Sequence, residues 1–302
     1  MAAGNPPMTG TIERPRTELT ESPARQAFRR LLRHRLAVLG LFVVAGMVIL
    51  AVIGDEARAY EQNLKLGFTN QPPGKGYLLG TDALGRDVLA RTLVGGRISI
   101  LVALVSVAIA TSIGTAIGVL AGFFGGWLDH VLMRVVDIVL SFPTILLLLV
   151  MSAIVGPGVV TLMVIIGLVS WAPASRIVRG QILSLREATF VEAARVIGVS
   201  DWRMIRGHIL PNIIAPLIVF ATFGVATVII FEASLSYLNL GVQQPTPSWG
   251  NLINVARSIT ALERYPWQWV PSATFIVLMV LAVNFIGDGL RDAFDQRATS
   301  NR

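Results

Sequence analysis

The chain has 302 residues, 54% of them hydrophobic and only 14% charged, whereas soluble domains carry about 25% charged residues. This composition places it in the membrane class and leaves room for several spans of about 20 residues, each able to cross ~30 Å of hydrocarbon. Net charge is +7 and cysteine is absent, which excludes a disulfide framework, a thiolate metal site and a cysteine nucleophile; the basic residues, nearly all arginine, lie mostly between the apolar runs, so retention of loops on one side of a membrane accounts for them more simply than nucleic acid does.

In chain order, residues 1–22 show no apolar period and are expected to form a disordered tail. Residues 23–35, PARQAFRRLLRHR, put Phe28, Leu31 and Leu32 on one helical face, continued by Leu36, with arginine over the rest. This pattern predicts an amphipathic cytoplasmic lead-in lying on the membrane surface. Residues 36–54 form the first transmembrane helix. The run is longer than the ~7–15-residue apolar core of a signal peptide, although Ala57-Arg58-Ala59 loosely resembles a cleavage site. Residues 55–96 are polar, with a turn at Pro72-Pro73-Gly74, and form an outer loop domain.

Apolar segments then follow at 98–123, 131–155, 159–178, 213–237 and 270–287. The expected architecture is an all-α polytopic membrane protein of six transmembrane helices. Its core transmembrane domain covers 97–287 and includes a cytoplasmic loop at 179–212; residues 288–302 form a cytoplasmic tail. Arg25, Arg29, Arg30, Arg33 and Arg35 precede the first span, which puts the amino terminus inside. Counting spans places 179–212 inside, with Arg179, Arg186, Arg195, Arg203 and Arg206, and 238–269 outside, with only Arg257 and Arg264. Arg86, Arg91 and Arg97 run against this pattern, on the outer side just before the second span.

Within the spans, Gly114, Gly118 and Gly122 recur every four residues. Such a stripe lets another helix approach closely, either in this chain or in a partner subunit. Carboxylates at mid-membrane cost about 2.5–3.5 kcal/mol on insertion scales. Asp137 has Arg134 one turn away as a local ion-pair partner. Glu232 has no charged partner within one turn, so it faces a cavity, pairs with another helix or sits neutral; a place near a translocation path is one reading. Asn284 either lines that path or bonds across helices. No phosphate-binding loop, zinc-protease helix or serine-nucleophile elbow occurs. His34, His130 and His208 are scattered, so no metal site is expected.

The stretch "EAARVIGVSDWRMIRGHILPN", 192–212, predicts a helical hairpin outside the membrane. Gly198 stops or bends the first helix. Ser200 and Asp201 supply an N-cap and a first-turn acid for the second. Trp202, Ile205 and Ile209 give the second helix an apolar side, and Pro211 marks the turn into the fifth span. Ala193 and Ala194 leave the tip without bulk, and Glu192 and Arg195 offer charges one turn apart.

Glu192-Ala193-Ala194, Gly198 and Ile209-Leu210-Pro211 resemble the cytoplasmic E-A-A loop of permease subunits of binding-protein-dependent ABC importers. "LGTDALGRDVLARTLVGGRISI" (79–100), "EASLSYLNLGVQQPTPSWGNLI" (232–253) and "GDGLRDAFDQR" (287–297) are similar to further blocks of the dipeptide/oligopeptide/nickel subgroup, in the second of its two permease types. The resemblance covers about residues 25–297. Tyr237, Asn239 and Gln296 depart from the subgroup's usual residues. The resemblance implies a type I ABC importer permease fold in a prokaryotic inner membrane, with both termini cytoplasmic. It also implies a non-catalytic subunit that forms half of a pathway for short peptides. The partners implied are a related permease, two cytoplasmic ATPase subunits or one fused ATPase that bind the ATP and Mg, and an extracytoplasmic binding protein. Glu192, Ala193, Ala194, Arg195, Gly198 and Val199 would meet the ATPase. Nickel chelates, glutathione and some sugars are alternative cargoes. Outside that family, an ion-coupled secondary transporter or channel using Asp137 and Glu232 is the competing reading, favoured by inverted repeats, of which the sequence gives no convincing sign.

Overall fold

The computed structural model describes residues 23–59, 68–74 and 76–294. The tail at 1–22 and residues 295–302 lie outside the described residues. Helix α1 (Pro23–Arg33) is joined through His34 to α2 (Arg35–Ile53). The His34 Nδ1 accepts the Ala37 N–H at 3.2 Å and caps α2, in the way short polar side chains close helix amino termini. A short α3 (Glu56–Ala59) follows.

Helix α4 (Val88–Phe124) begins well before the apolar run at 98. The cause is Asp87, whose carboxylate accepts the Leu89 and Ala90 N–H groups at 2.9 and 3.3 Å. Gly125, at φ +66°, ends the helix; a left-handed residue there favours glycine. α4 is the centre of the bundle and packs on α2, α7, α8 and α11.

Helices α5 (Gly126–Leu140) and α6 (Thr144–Val155) replace the straight span expected at 131–155. They are bent by 83° across Ser141–Pro143, because proline lacks the N–H and clashes with the preceding turn. Among the described residues, five helices are long and apolar enough to cross a membrane, and the bent pair makes a sixth if taken as one span. Helices α7 (Val159–Val169) and α8 (Ala172–Arg186) form one such span, broken at Ser170-Trp171.

After α9 (Thr189–Val196), helix α10 (Asp201–Met204) runs through a π-turn at Ile205–Ile209 into α11 (Leu210–Tyr237). The turn expected at Pro211 is absent. Proline follows closely on the π-turn, whose extra residue accommodates the ring and the missing N–H and keeps the chain helical. A return loop carrying α12 (Trp249–Ile253) and α13 (Ile259–Arg264) leads to α14 (Val270–Phe294). The main core joins Val102, Leu162, Ile166, Ile229, Trp249 and Met279, drawn from α4, α7, α11, α12 and α14.

Candidate functional site

The glycine stripe of α4 is a seam with α8 of the same chain. A Cβ on Gly114 would lie 2.5 Å from Ala174 Cβ, and one on Gly118 would lie 2.6 Å from Val178 Cβ and 2.7 Å from the Ser175 carbonyl. One on Gly122 would lie 3.0 Å from Ile182 Cβ. Asp129 of α5 receives both a 2.6 Å and a 2.7 Å bond from the Arg179 guanidinium of α8. This paired geometry fixes orientation as well as attraction.

The hairpin continues from α8. Its first helix ends in a Schellman motif: Val199 N–H donates to Ala194 C=O at 3.1 Å and Gly198 N–H to Arg195 C=O at 3.0 Å, with Gly198 at φ +79°. The spacing of four between Ala194 and Gly198 is the spacing this closure requires. Ala194 therefore packs inward with Val191, Ile205 and Ile209, and does not leave a bare tip as expected; Ala193 is exposed. Ser200 takes the N-cap position, but its side chain makes no capping bond. Trp202 is also reversed from expectation: it is 62% exposed, with Arg206 over its ring at 5.4 Å, while Ile205 and Ile209 are buried. Glu192 and Arg195 are exposed.

Sequence reasoning missed the residues that distinguish this surface. Val196 and Ile197 are 87% and 79% exposed beside Gly198, and Phe190 is 43% exposed. Trp202 is a further exposed apolar side chain of the hairpin. The one sequence signal of Val196 and Ile197 was two β-branched residues directly before a helix-stopping glycine, where no further turn can cover them.

A cavity of about 1850 Å³ lies between α4, α6, α8, α11 and the carboxy-terminal end of α14. Its wall is mostly apolar, including Val107, Leu147, Ile177 and Phe231, with Thr111, Ser170, Gln181 and Asn212 among its polar points and Arg30 of α1 and Arg291 of α14 as charged ones. Asp137, Glu232 and Asn284 are not among the residues that line it. Asp137 pairs with Arg176 of α8 at 2.5 Å, a partner across helices in place of the expected Arg134. Glu232 is fully buried; its carboxyl accepts Ser99 Oγ at 2.9 Å and, one turn along, Ser236 Oγ at 2.8 Å. Asn284 is half-buried on α14.

The arginines that ran against the charge pattern are internally engaged. Asp82 accepts the Arg86 Nε at 2.7 Å and the Leu84 and Arg86 N–H groups at 2.9 Å each, and it pairs with Arg91. Burial disfavours ionisation of Asp82, but Arg91 and Arg86 and the backbone donors outweigh it and hold its carboxyl below the usual carboxylate range. Arg97 donates to the carbonyls of Ala51, Val52 and Gly54 at the end of α2 and pairs with Glu56. Among the described residues no group of His, Cys, Asp or Glu could hold a metal ion.

With this geometry in hand, comparison with known proteins is informative. A family described as binding-protein-dependent transport system inner membrane component matches residues 114–300, and the N-terminal TM domain of oligopeptide transport permease C matches 22–73. The chain is 44% identical over 280 residues to a putative peptide permease protein of Brucella suis biovar 1, covering 92% of this chain and 93% of that one. It is 37% identical over 281 residues to a dipeptide transport system permease of Alkalihalophilus pseudofirmus, covering 92% and 91%. It is 38% identical over 296 residues to a glutathione transport system permease of Pectobacterium atrosepticum, covering 97% of each. A chain from the inward-facing MetNI methionine ABC transporter has a similar fold, with TM-score 0.52 and 21% identity over 67% of this chain and 95% of that one.

Proposed function

Because the chain belongs to the family of inner-membrane components of binding-protein-dependent transport systems, as a permease of the peptide ABC importer type, we propose that it forms half of an import pathway for short peptides and couples it to ATP hydrolysis through the 179–212 loop. It is a multi-pass protein of the inner membrane. Peptides, a dipeptide and glutathione are the cargoes named for its relatives, and all are short amide-linked molecules.

The observation that carries the coupling role is the set of apolar side chains that the hairpin exposes. Val196, Ile197 and Trp202 stand exposed on a helix pair closed by its own hydrogen bonds. Neighbouring exposed apolar side chains such as Val196 and Ile197 mark a contact with another protein. The hairpin core is continuous with Val119 and Phe123 of α4 and Val178 and Ile182 of α8, so a push on the hairpin moves two helices that line the cavity. Coupling needs such a contiguous element with two arrangements. Glu192, Ala193 and Arg195 precede Val196 in α9 and would contact the ATPase; Ala194, Gly198 and Val199 would shape the hairpin that presents them.

On this reading the hairpin end is cytoplasmic, as are both termini. A second, related permease covers the open side of the cavity, an extracytoplasmic binding protein delivers the cargo at the opposite end, and the ATPase subunits hold ATP and Mg. The test is co-purification in mild detergent from cells that express the whole operon. The parental chain should bring down ATPase subunits and a related permease, and the pair Val196→Asp with Ile197→Asp should lose the ATPase while keeping the permease. Retention of the ATPase by that variant refutes the docking surface.

A further inference from the structure

We propose that Glu232 is a positioning residue that fuses α4, α11 and the return loop into one rigid body at the end of the bundle opposite the hairpin. The inference rests on the importer reading for its consequence in transport, but its geometry stands alone. Glu232 has no exposed surface. Its carboxyl accepts Ser99 Oγ of α4 and Ser236 Oγ of α11 at 2.9 and 2.8 Å.

Each of these hydroxyls gives its proton to the carboxyl and keeps lone pairs free to accept. Those lone pairs take backbone N–H groups of the return loop. Trp249 donates to Ser99 Oγ at 3.1 Å and Val242 to Ser236 Oγ at 3.0 Å. One carboxyl thus orients two serines, and the serines hold two points of the loop. Trp249 adds a bond from Nε1 to the Thr92 carbonyl at 3.0 Å.

Backbone segments approach one another closely around this knot. A Cβ on Gly250 would lie 2.6 Å from Ala233 Cα, one on Gly241 2.7 Å from Ser236 N, and one on Gly95 3.2 Å from Ser248 Cα. Buried polar networks hold rigidly when every member is satisfied and cost heavily when one partner is lost. The adjacent residue on α11, Phe231, lines the cavity, as do Val107 and Thr111 further along α4. The network therefore lies next to the part of the cavity that Phe231 lines. It stays intact through the transport cycle, so that helix motion begun at the hairpin reaches that part undiminished.

The experiment uses the assembled complex and reads two quantities: amide hydrogen exchange at Val242 and Trp249, and substrate imported per ATP hydrolysed. Glu232→Leu removes the acceptor, and Ser99→Ala removes a single spoke. Both should raise exchange at Trp249 by roughly tenfold or more, and Glu232→Leu should raise it at Val242 also. Both should lower import per ATP while hydrolysis persists. Glu232→Gln keeps one acceptor oxygen and should lie nearer the parental values. Parental exchange in both disrupting variants overturns the proposal, as does raised exchange with parental import per ATP. If the parental complex shows no ATP-driven import, the importer reading has failed, and exchange alone decides whether Glu232 holds the loop.

Discussion

Replacing Gly118 by alanine tests the α4–α8 seam. The added Cβ would sit 2.6 Å from Val178 Cβ, 2.8 Å from Val178 Cγ1 and 2.7 Å from the Ser175 carbonyl oxygen, where carbon contacts relax near ~3.5–4.0 Å. Rotating Val178 moves its Cγ1 but not its Cβ, and the Ser175 carbonyl is backbone, so the helices must part by about 1 Å. Gly114 meets α8 as closely, with Ala174 Cβ at 2.5 Å, and Gly122 a little less so, with Ile182 Cβ at 3.0 Å, so that separation loosens the seam on both sides. Overpacking of this kind costs about 1–3 kcal/mol, or roughly 2–12 °C in melting temperature at about 2–4 °C per kcal/mol. The assay is thermal unfolding of the purified chain in detergent. Gly46→Ala is the control, since nothing lies within 4 Å of its added methyl and alanine favours a helix. Equal melting of the two variants would refute the seam and return the stripe to a partner subunit.

Three further outcomes follow from named contacts. Gly198→Ala at φ +79° should cost the hairpin about 1–2 kcal/mol, seen as faster amide exchange at Val199 with the spans unaffected. Asp82 has a depressed carboxyl pKa, so its stabilising effect is complete above the ordinary value of 3.8 and is lost as pH falls below it toward the folded value. Melting temperature measured from pH 6 downward should decline in that acid window (about pH 4 and lower), and Asp82→Asn should flatten that part of the decline; an unchanged profile contradicts the pairing with Arg86 and Arg91. Arg97→Leu should leave the last carbonyls of α2 unpartnered and cost about 1–3 kcal/mol in unfolding, whereas Arg264→Leu on exposed α13 should cost under about 0.5 kcal/mol.

The spans were legible because apolar runs of membrane length have few other uses. Their interruptions were less so. Pro143 was visible in the sequence, but an 83° bend depends on what the two halves pack against. The early start of α4 was written in Asp87, a capping residue placed ahead of a polar first turn, yet hydropathy alone puts the boundary at 98. In the hairpin the spacing from Ala194 to Gly198 was readable and the facing of side chains was not, since an eight-residue helix has too few turns for its pattern to say which side is covered. Glu232 shows the limit most clearly. Its partner Ser99 lies 133 positions away, and serine carries no signal that distinguishes a network from a surface.

On the importer reading, this chain is the moving, non-catalytic part of an ATP-driven peptide importer. Uptake of a labelled dipeptide into proteoliposomes holding the complete complex and the binding protein tests that role most directly. Uptake should require ATP and the binding protein and should disappear in the Val196→Asp, Ile197→Asp variant. Uptake by the chain alone, driven by an ion gradient and indifferent to ATP, would contradict that reading.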